Sequence, residues 1–523
     1  MTWSTLRAGG KHGEPRGTLA KDKDKPPMTK LPARTATALF AALLLGVGTA
    51  AVIAAEQEKV ALPAWLAEKT ASLPAAKRDF LLSDAAQGMA ARPELLWKRL
   101  DGKTAAQIEA YIDGMMAVIE SKKYKPGIDL AFIPLDTNDE DFNEWKTLRP
   151  QAWNPAREPG PINVSRYITG RNNGIKTFAG APLAFTPEDL IAGKVDVAIV
   201  GAPLDMGSGF RGAKDGPAYM RMTGGGGGND MYTMVNPSAE LNIVDYGDIA
   251  VDNMSTERTM GHVREMVAQI ARTGAIPFIV GGDHSLEYSD IAGLADVHGK
   301  GSFGVVHFDS HYDAGKGGEH FITHGAPVYR AVKEGHVLGK NYIQVGLRGG
   351  WPGPEGFEWM RANGVRYHAM PEVEKSGWPA VMERALKEAR EGGKKLYISF
   401  DVDVLDPAFI GGTGTPVPGG LTMREALPIV RRLCAENEII GFEIVEVAPR
   451  LDNSYRTPLN ANYIMHACLT GVAMYKKGIK QIGYLAEETT EHGADDPMVK
   501  KALKPEKPVA DITRAPPEPK ERR

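Results

Sequence analysis

From Val195 onward, apolar residues fall in short continuous runs, separated by stretches where they recur every three or four positions. The runs Val195–Val200, Ile276–Val280, Phe303–Phe308, Ile343–Val345, Leu396–Phe400 and Ile440–Val445 are rich in β-branched residues and predict buried strands. Between two of them, Ser255 to Thr273 sets Met260, Val263, Met266, Val267 and Ile270 on one helical face and stops at Gly274. Strands apolar on both faces, alternating with amphipathic helices, predict a three-layer α/β/α domain around a central, mostly parallel sheet. This domain is expected to span residues 195–486.

The flanks read differently. Between Leu62 and Lys125 the period is helical, as in Ile108, Tyr111, Ile112, Met115 and Ile119, so residues 56–150 are expected to form a helical N-terminal extension with a packing role. Residues 151–194 begin with the Pro/Asn/Gly-rich stretch Asn154 to Pro161 and are expected to form an extended arm. Residues 487–523 are charged and proline-rich and are expected to be a disordered tail.

Residues 1–55 are expected to be a leader. Lys30 and Arg34 precede an uncharged run of 21 residues, Thr35 to Ala55, with an apolar centre at Ala38 to Leu45 and a small-residue exit. That is the layout of a secretory signal peptide, with Met28 read as the start. The expected mature form is periplasmic or secreted and begins near Ala55 or Glu56. The alternative is a retained N-terminal membrane anchor, because such a run just spans about 30 Å of hydrocarbon.

Composition narrows the function. With 62 Lys+Arg against 65 Asp+Glu, the net charge of −3 provides no general field for nucleic acid, and no nucleic-acid partner is expected. The two cysteines, Cys434 and Cys468, exclude a disulfide-built scaffold and a cysteine-only zinc site, and need not pair.

Three predicted strands end in acidic and histidine clusters: Gly281-Gly-Asp-His284, Asp309-Ser-His-Tyr-Asp313, and Asp401-Val-Asp403 running on to Asp406-Pro407. Functional groups of parallel sheets gather at such strand ends. Each cluster alone reads equally well as a turn or a helix cap. Brought together, six carboxylates and two imidazoles repel one another unless cations neutralise them. Carboxylate and imidazole without thiolate suits Mn²⁺, with Ni²⁺ as the alternative.

These blocks resemble the ureohydrolase family of arginases, agmatinases and guanidinobutyrases. The likeness runs from Val195 to Tyr484 and includes His324-Gly325, Gly414 to Gly420 and Ile444-Val-Glu446. It implies an arginase-like fold and two Mn²⁺ ions, one held by His284, Asp309, Asp313 and Asp401, the other by Asp309, His311, Asp401 and Asp403. It further implies hydrolysis of a small guanidino substrate to urea and an amine. Glu446 would accept the guanidinium N–H groups and His324 would protonate the departing amine, with Asp313 counted beside them as a catalytic group. The segment Phe321-Ile-Thr-His324-Gly is closer to agmatinases and guanidino-acid hydrolases than to arginases. A formiminoglutamase-like amidine hydrolase and a non-catalytic exported guanidinium-binding protein are the alternatives. The family also implies a homo-oligomer, a trimer or hexamer.

Three departures bear on the substrate: the loop Ala408 to Gly414 after Asp406-Pro407, a short loop, Arg211 to Pro217, and the glycine run Gly224 to Gly228, expected to form a mobile rim.

Overall fold

Eight strands make one sheet: β1 Val197–Ala202, β2 Ile243–Asp248, β3 Ile276–Gly281, β4 Gly304–Phe308, β5 Tyr342–Val345, β6 Arg366–His368, β7 Lys395–Asp401 and β8 Glu438–Val445. They belong to a computed structural model that describes residues 61–90, 92–123, 125, 148–165, 174–224, 228–316, 322–393 and 395–491. The expected leader, the tail beyond residue 491 and the centre of the glycine run lie outside the described residues. Among the described residues, no helix is long and apolar enough to cross a membrane.

The strand order is β2-β1-β3-β8-β7-β4-β5-β6, and every neighbouring pair is parallel. Successive side chains alternate between two cores. Phe278 and Val280 of β3 and Val306 and Phe308 of β4 face one core, whereas Ile279 and Val305 face the other. This two-sided burial explains why the runs are continuous rather than alternating. The helix predicted over 255–273 is Thr256–Arg272, with the Ser255 side chain accepting from the Arg258 amide at its start.

Edge strands β2 and β6 were not among the predicted runs. β2 carries the buried Asp245, whose carboxylate takes both Nε and Nη2 of Arg221 at 2.7 and 2.9 Å. The expected arm protects that edge through an antiparallel bridge between Ile162 and Leu183 and a parallel bridge from Leu183 to Asp245. The arm is not extended throughout, because Pro187–Ala192 is helical, started by a capping box between Thr186 and Asp189.

The chain divides into two compact units, Met1–Ala105 and Ala106–Arg523. The described part of the first unit is helical, over Ala64–Thr70, Ala75–Leu81, Asp84–Gly88 and Pro93–Leu100, and buries Leu66, Leu81, Leu96 and Leu100. In the second, Tyr111 of the helix Ala105–Lys122 stacks on Trp153 with ring centroids 5.2 Å apart.

The cysteines are bonded to each other. Cys434 on the helix Met423–Glu436 and Cys468 on the helix Arg456–Lys477 form a disulfide with Cα atoms 5.3 Å apart. The helices approach closely at Gly471, where an added Cβ would lie 2.4 Å from the Arg431 carbonyl oxygen. The sequence carries no direct sign of this contact, since it arises from helix packing across 34 residues.

Candidate metal centre and active site

The carboxyl ends of four adjacent central strands, β3, β8, β7 and β4, supply the polar residues. β3 runs into Gly282, Asp283 and His284. Gly282 tolerates no side chain, because a Cβ there would lie 2.0 Å from the Leu204 carbonyl oxygen. Its own carbonyl accepts the Glu446 amide at 2.8 Å, which ties the end of β3 to the end of β8. Gly282→Ala is therefore expected to lower the thermal unfolding midpoint and to reduce turnover together, with overpacking costing about 1–3 kcal/mol. Thermal melts and a urea-release assay on the same sample check this; an unchanged melting point would mean that the two strand ends adjust freely.

His284 lies at the middle of the first ligand group. Its Nδ1 is 2.9 Å from Asp309 Oδ2, 3.2 Å from Asp401 Oδ2 and 3.3 Å from Asp313 Oδ2. His311 is the middle of the second, with Nδ1 2.9 Å from Asp403 Oδ2 and 3.3 Å from Asp309 Oδ1. Asp309 belongs to both groups and offers one oxygen to each. All six predicted ligands thus come together. Short turns hold them: the His311 amide donates to Asp309 Oδ1 at 2.6 Å, the Asp403 amide to Asp401 Oδ1 at 2.8 Å, and Ser310 Oγ to Asp403 Oδ1 at 2.8 Å. Asp313 adopts φ 44°, a left-handed conformation strained for a residue with a Cβ.

The electrostatics call for cations. Burial and the neighbouring charge of Asp309 push the Asp313 carboxyl up to about 6. Burial, then Asp403 and Asp309, hold Asp401 well above the ordinary range. Burial opposes a charge on His311, but hydrogen bonding to Asp309 and Asp403 outweighs it and pushes the ring up to about 12. Burial likewise raises Asp309, yet the rings of His284, His307 and His311 overcome it and hold that carboxyl well below its usual range. His284 Nδ1 and Asp309 Oδ2 are buried and lie 2.9 Å apart, yet neither makes a hydrogen bond of good geometry among the described residues. Of three candidate groups among the described residues, two share Asp309 (His284–Asp309–Asp313 and Asp309–His311–Asp403), and their converging oxygen and nitrogen atoms fit a pair of divalent cations; the third, His284–Glu287–His307, lies directly behind them.

Glu446 follows β8, is 1% exposed and has φ 60°. Its Oε1 accepts the His284 amide at 3.1 Å and lies 3.1 Å from His324 Nδ1, while Oε2 has no partner among the described residues. Burial lowers the His324 ring, but Glu446 more than compensates and raises it. The loop before Arg211 leans on the same corner. The Asp205 carboxylate gathers the amides of Arg211, Gly212 and Ala213, and the Gly207 carbonyl accepts the His324 amide at 3.2 Å. Asp406, part of the third cluster, stays outside the site; its oxygens accept the Ala408 and Gly419 amides.

Sequence reasoning passed over His307 and Glu287, both fully buried beside these groups. The signal was present: a histidine inside an otherwise apolar strand, and a glutamate three positions after His284.

A model of the arginase family matches residues 195–471, more than half of the chain. The chain is 33% identical to the mitochondrial guanidino acid hydrolase of Homo sapiens over 321 residues, 60% of this chain and 85% of that one. It is 35% identical to the guanidinobutyrase of Pseudomonas aeruginosa over 58% of this chain and 94% of the relative. Among solved structures, proclavaminate amidinohydrolase from Streptomyces clavuligerus is similar with a TM-score of 0.53 at 30% identity, covering 59% of this chain and all of that one.

Proposed function

Since the chain belongs to the arginase family, we propose that it hydrolyses a small guanidino compound, agmatine or a related guanidino acid or guanidine, to urea and an amine. One observation carries this reading: two ligand groups sharing Asp309 stand beside a buried carboxylate, Glu446, with one free oxygen. His284, Asp309, Asp313 and Asp401 would hold one ion, and Asp309, His311, Asp401 and Asp403 the other. Mn²⁺ is favoured, with Ni²⁺ as the alternative. When bound, such a pair supplies Lewis-acid activation of water at neutral pH.

The chain's own residues do the rest. Glu446 Oε2 is placed to accept guanidinium N–H in a charge-assisted bond, strengthened by its burial. Because Glu446 engages His324 Nδ1, the opposite ring nitrogen is left to carry a proton to the departing amine. His324, a quarter exposed, can recover that proton from solvent. Urea release from agmatine, guanidinobutyrate, guanidinopropionate, arginine and guanidine, each with Mn²⁺ and with Ni²⁺, tests the reading. A metal-loaded protein that releases urea from none of them would sink it.

Export is part of the same proposal. The leader supports it, and so does the Cys434–Cys468 bond, since disulfides form and persist in oxidising compartments. N-terminal sequencing of protein from its native host is expected to begin near Ala55 or Glu56. A cytoplasmic chain that keeps Thr35 to Ala55 would end the proposal.

A further inference from the structure

Behind the ligand groups lies a second set of polar side chains that the proposed chemistry leaves unused. Glu287 comes from the first turn of the helix Leu286–His298, His307 from the middle of β4 and Tyr342 from the start of β5, and all three are fully buried. A carboxylate removed from water costs several kcal/mol unless it is paired and hydrogen-bonded. Glu287 is paired: it accepts the Tyr342 hydroxyl, and both its oxygens lie 3.1 Å from His307 Nδ1.

The His307 ring is thus gripped at one edge, and its remaining surfaces meet two of the ligands. Its Nε2 is 3.3 Å from Asp309 Oδ2 and has no other partner among the described residues. Its face stacks on the His284 ring, with centroids 4.8 Å apart and planes 7° from parallel. One imidazole therefore touches the shared aspartate edge-on and the central histidine of the first group face-on. The outer torsion of a histidine is soft, so the ring holds this pose only while Nδ1 is anchored.

We propose that Glu287, anchored by Tyr342, is a positioning residue that fixes the His307 ring and through it holds Asp309 and His284 in place for metal. The inference rests on the two-metal reading above. An outer partner of this kind typically changes metal affinity by about 10–100-fold when removed.

Metal-free protein titrated with Mn²⁺ against a chelating dye, beside thermal melts of the same metal-free samples, tests it. Glu287→Leu and His307→Leu are each expected to weaken Mn²⁺ binding by about 10–100-fold. The double variant is expected to bind no more weakly than the weaker single one, because Glu287 acts through the ring that His307→Leu has removed, its own Oε2 lying 3.8 Å from His284 Nε2, beyond hydrogen-bond reach. A merely structural role predicts multiplied losses instead. Tyr342→Phe, which removes only a hydroxyl, is expected to weaken binding several-fold without lowering the metal-free melting point as far as either leucine variant. Should a leucine variant fail to fold, Tyr342→Phe decides alone. Wild-type affinity in Tyr342→Phe, or fold-losses that multiply in the double variant, overturns the proposal while leaving the two-metal reading intact. A wild-type chain that takes up no Mn²⁺ overturns both.

Discussion

Asp309→Ala protein is expected to hold fewer than two metal ions per chain and to lose turnover by well over about 100-fold, more than an outer partner contributes. Asp309 is proposed, with Asp401, to serve both ions, and it faces the central histidine of each ligand group, with Oδ2 2.9 Å from His284 Nδ1 and Oδ1 3.3 Å from His311 Nδ1. Its removal leaves each group one donor short and takes away the carboxylate that His284, His307 and His311 all face. The metal-free form should therefore melt at a lower temperature as well, since buried imidazoles lose their counter-charge. Elemental analysis after dialysis, with urea release on the same sample, gives the answer. Two ions retained with full activity would end the shared-ligand assignment.

Glu446→Gln separates substrate from metal. Glutamine keeps the oxygen that accepts the His284 amide, and Glu446 is in neither ligand group, so both ions should stay. What disappears is the negative charge meeting the guanidinium in a water-poor site. Truncating one partner of a buried charge pair costs about 2–5 kcal/mol, or roughly 30- to 5,000-fold in kcat/KM. Steady-state kinetics with unchanged metal content is the expected pattern. A rate equal to wild type would place substrate recognition elsewhere.

Sequence reading reached the centre of this protein more easily than its edges, for physical reasons. β3, β4, β7 and β8 are buried on both faces, so their residues form largely apolar runs, interrupted only at buried positions such as His307, Ser399 and Glu443. β2 interrupts its run with Asp245, whose burial is offset by Arg221, from a helix more than twenty residues upstream, and by the amides of Phe178 and Gly247. β6 is three residues long and opens on Arg366. The ligand clusters were visible because a parallel sheet exposes its strand ends to loops, where aspartate and histidine stand out. Glu287 and His307 left only a faint sign, and the Cys434–Cys468 pair none, because their meaning lies in neighbours brought together by packing.

The place of β8 has a bearing on how the molecule assembles. β2-β1-β3 form one block and β7-β4-β5-β6 another, and only β8 pairs with both, through Phe278–Phe442 on one side and Ile398–Phe442 on the other. Among the described strands it is the last to leave the ribosome. Until it inserts, two half-sheets present unpaired apolar edges, the state in which chains adhere to one another. Glu446 follows the same strand, so the sheet closes and this carboxylate comes into place in one event. Contacts spanning so much of the chain make that event slow. A chain interrupted before Glu438 would carry every proposed metal ligand and still lack the strand that joins β3, which leads to His284, to β7, which ends at Asp401.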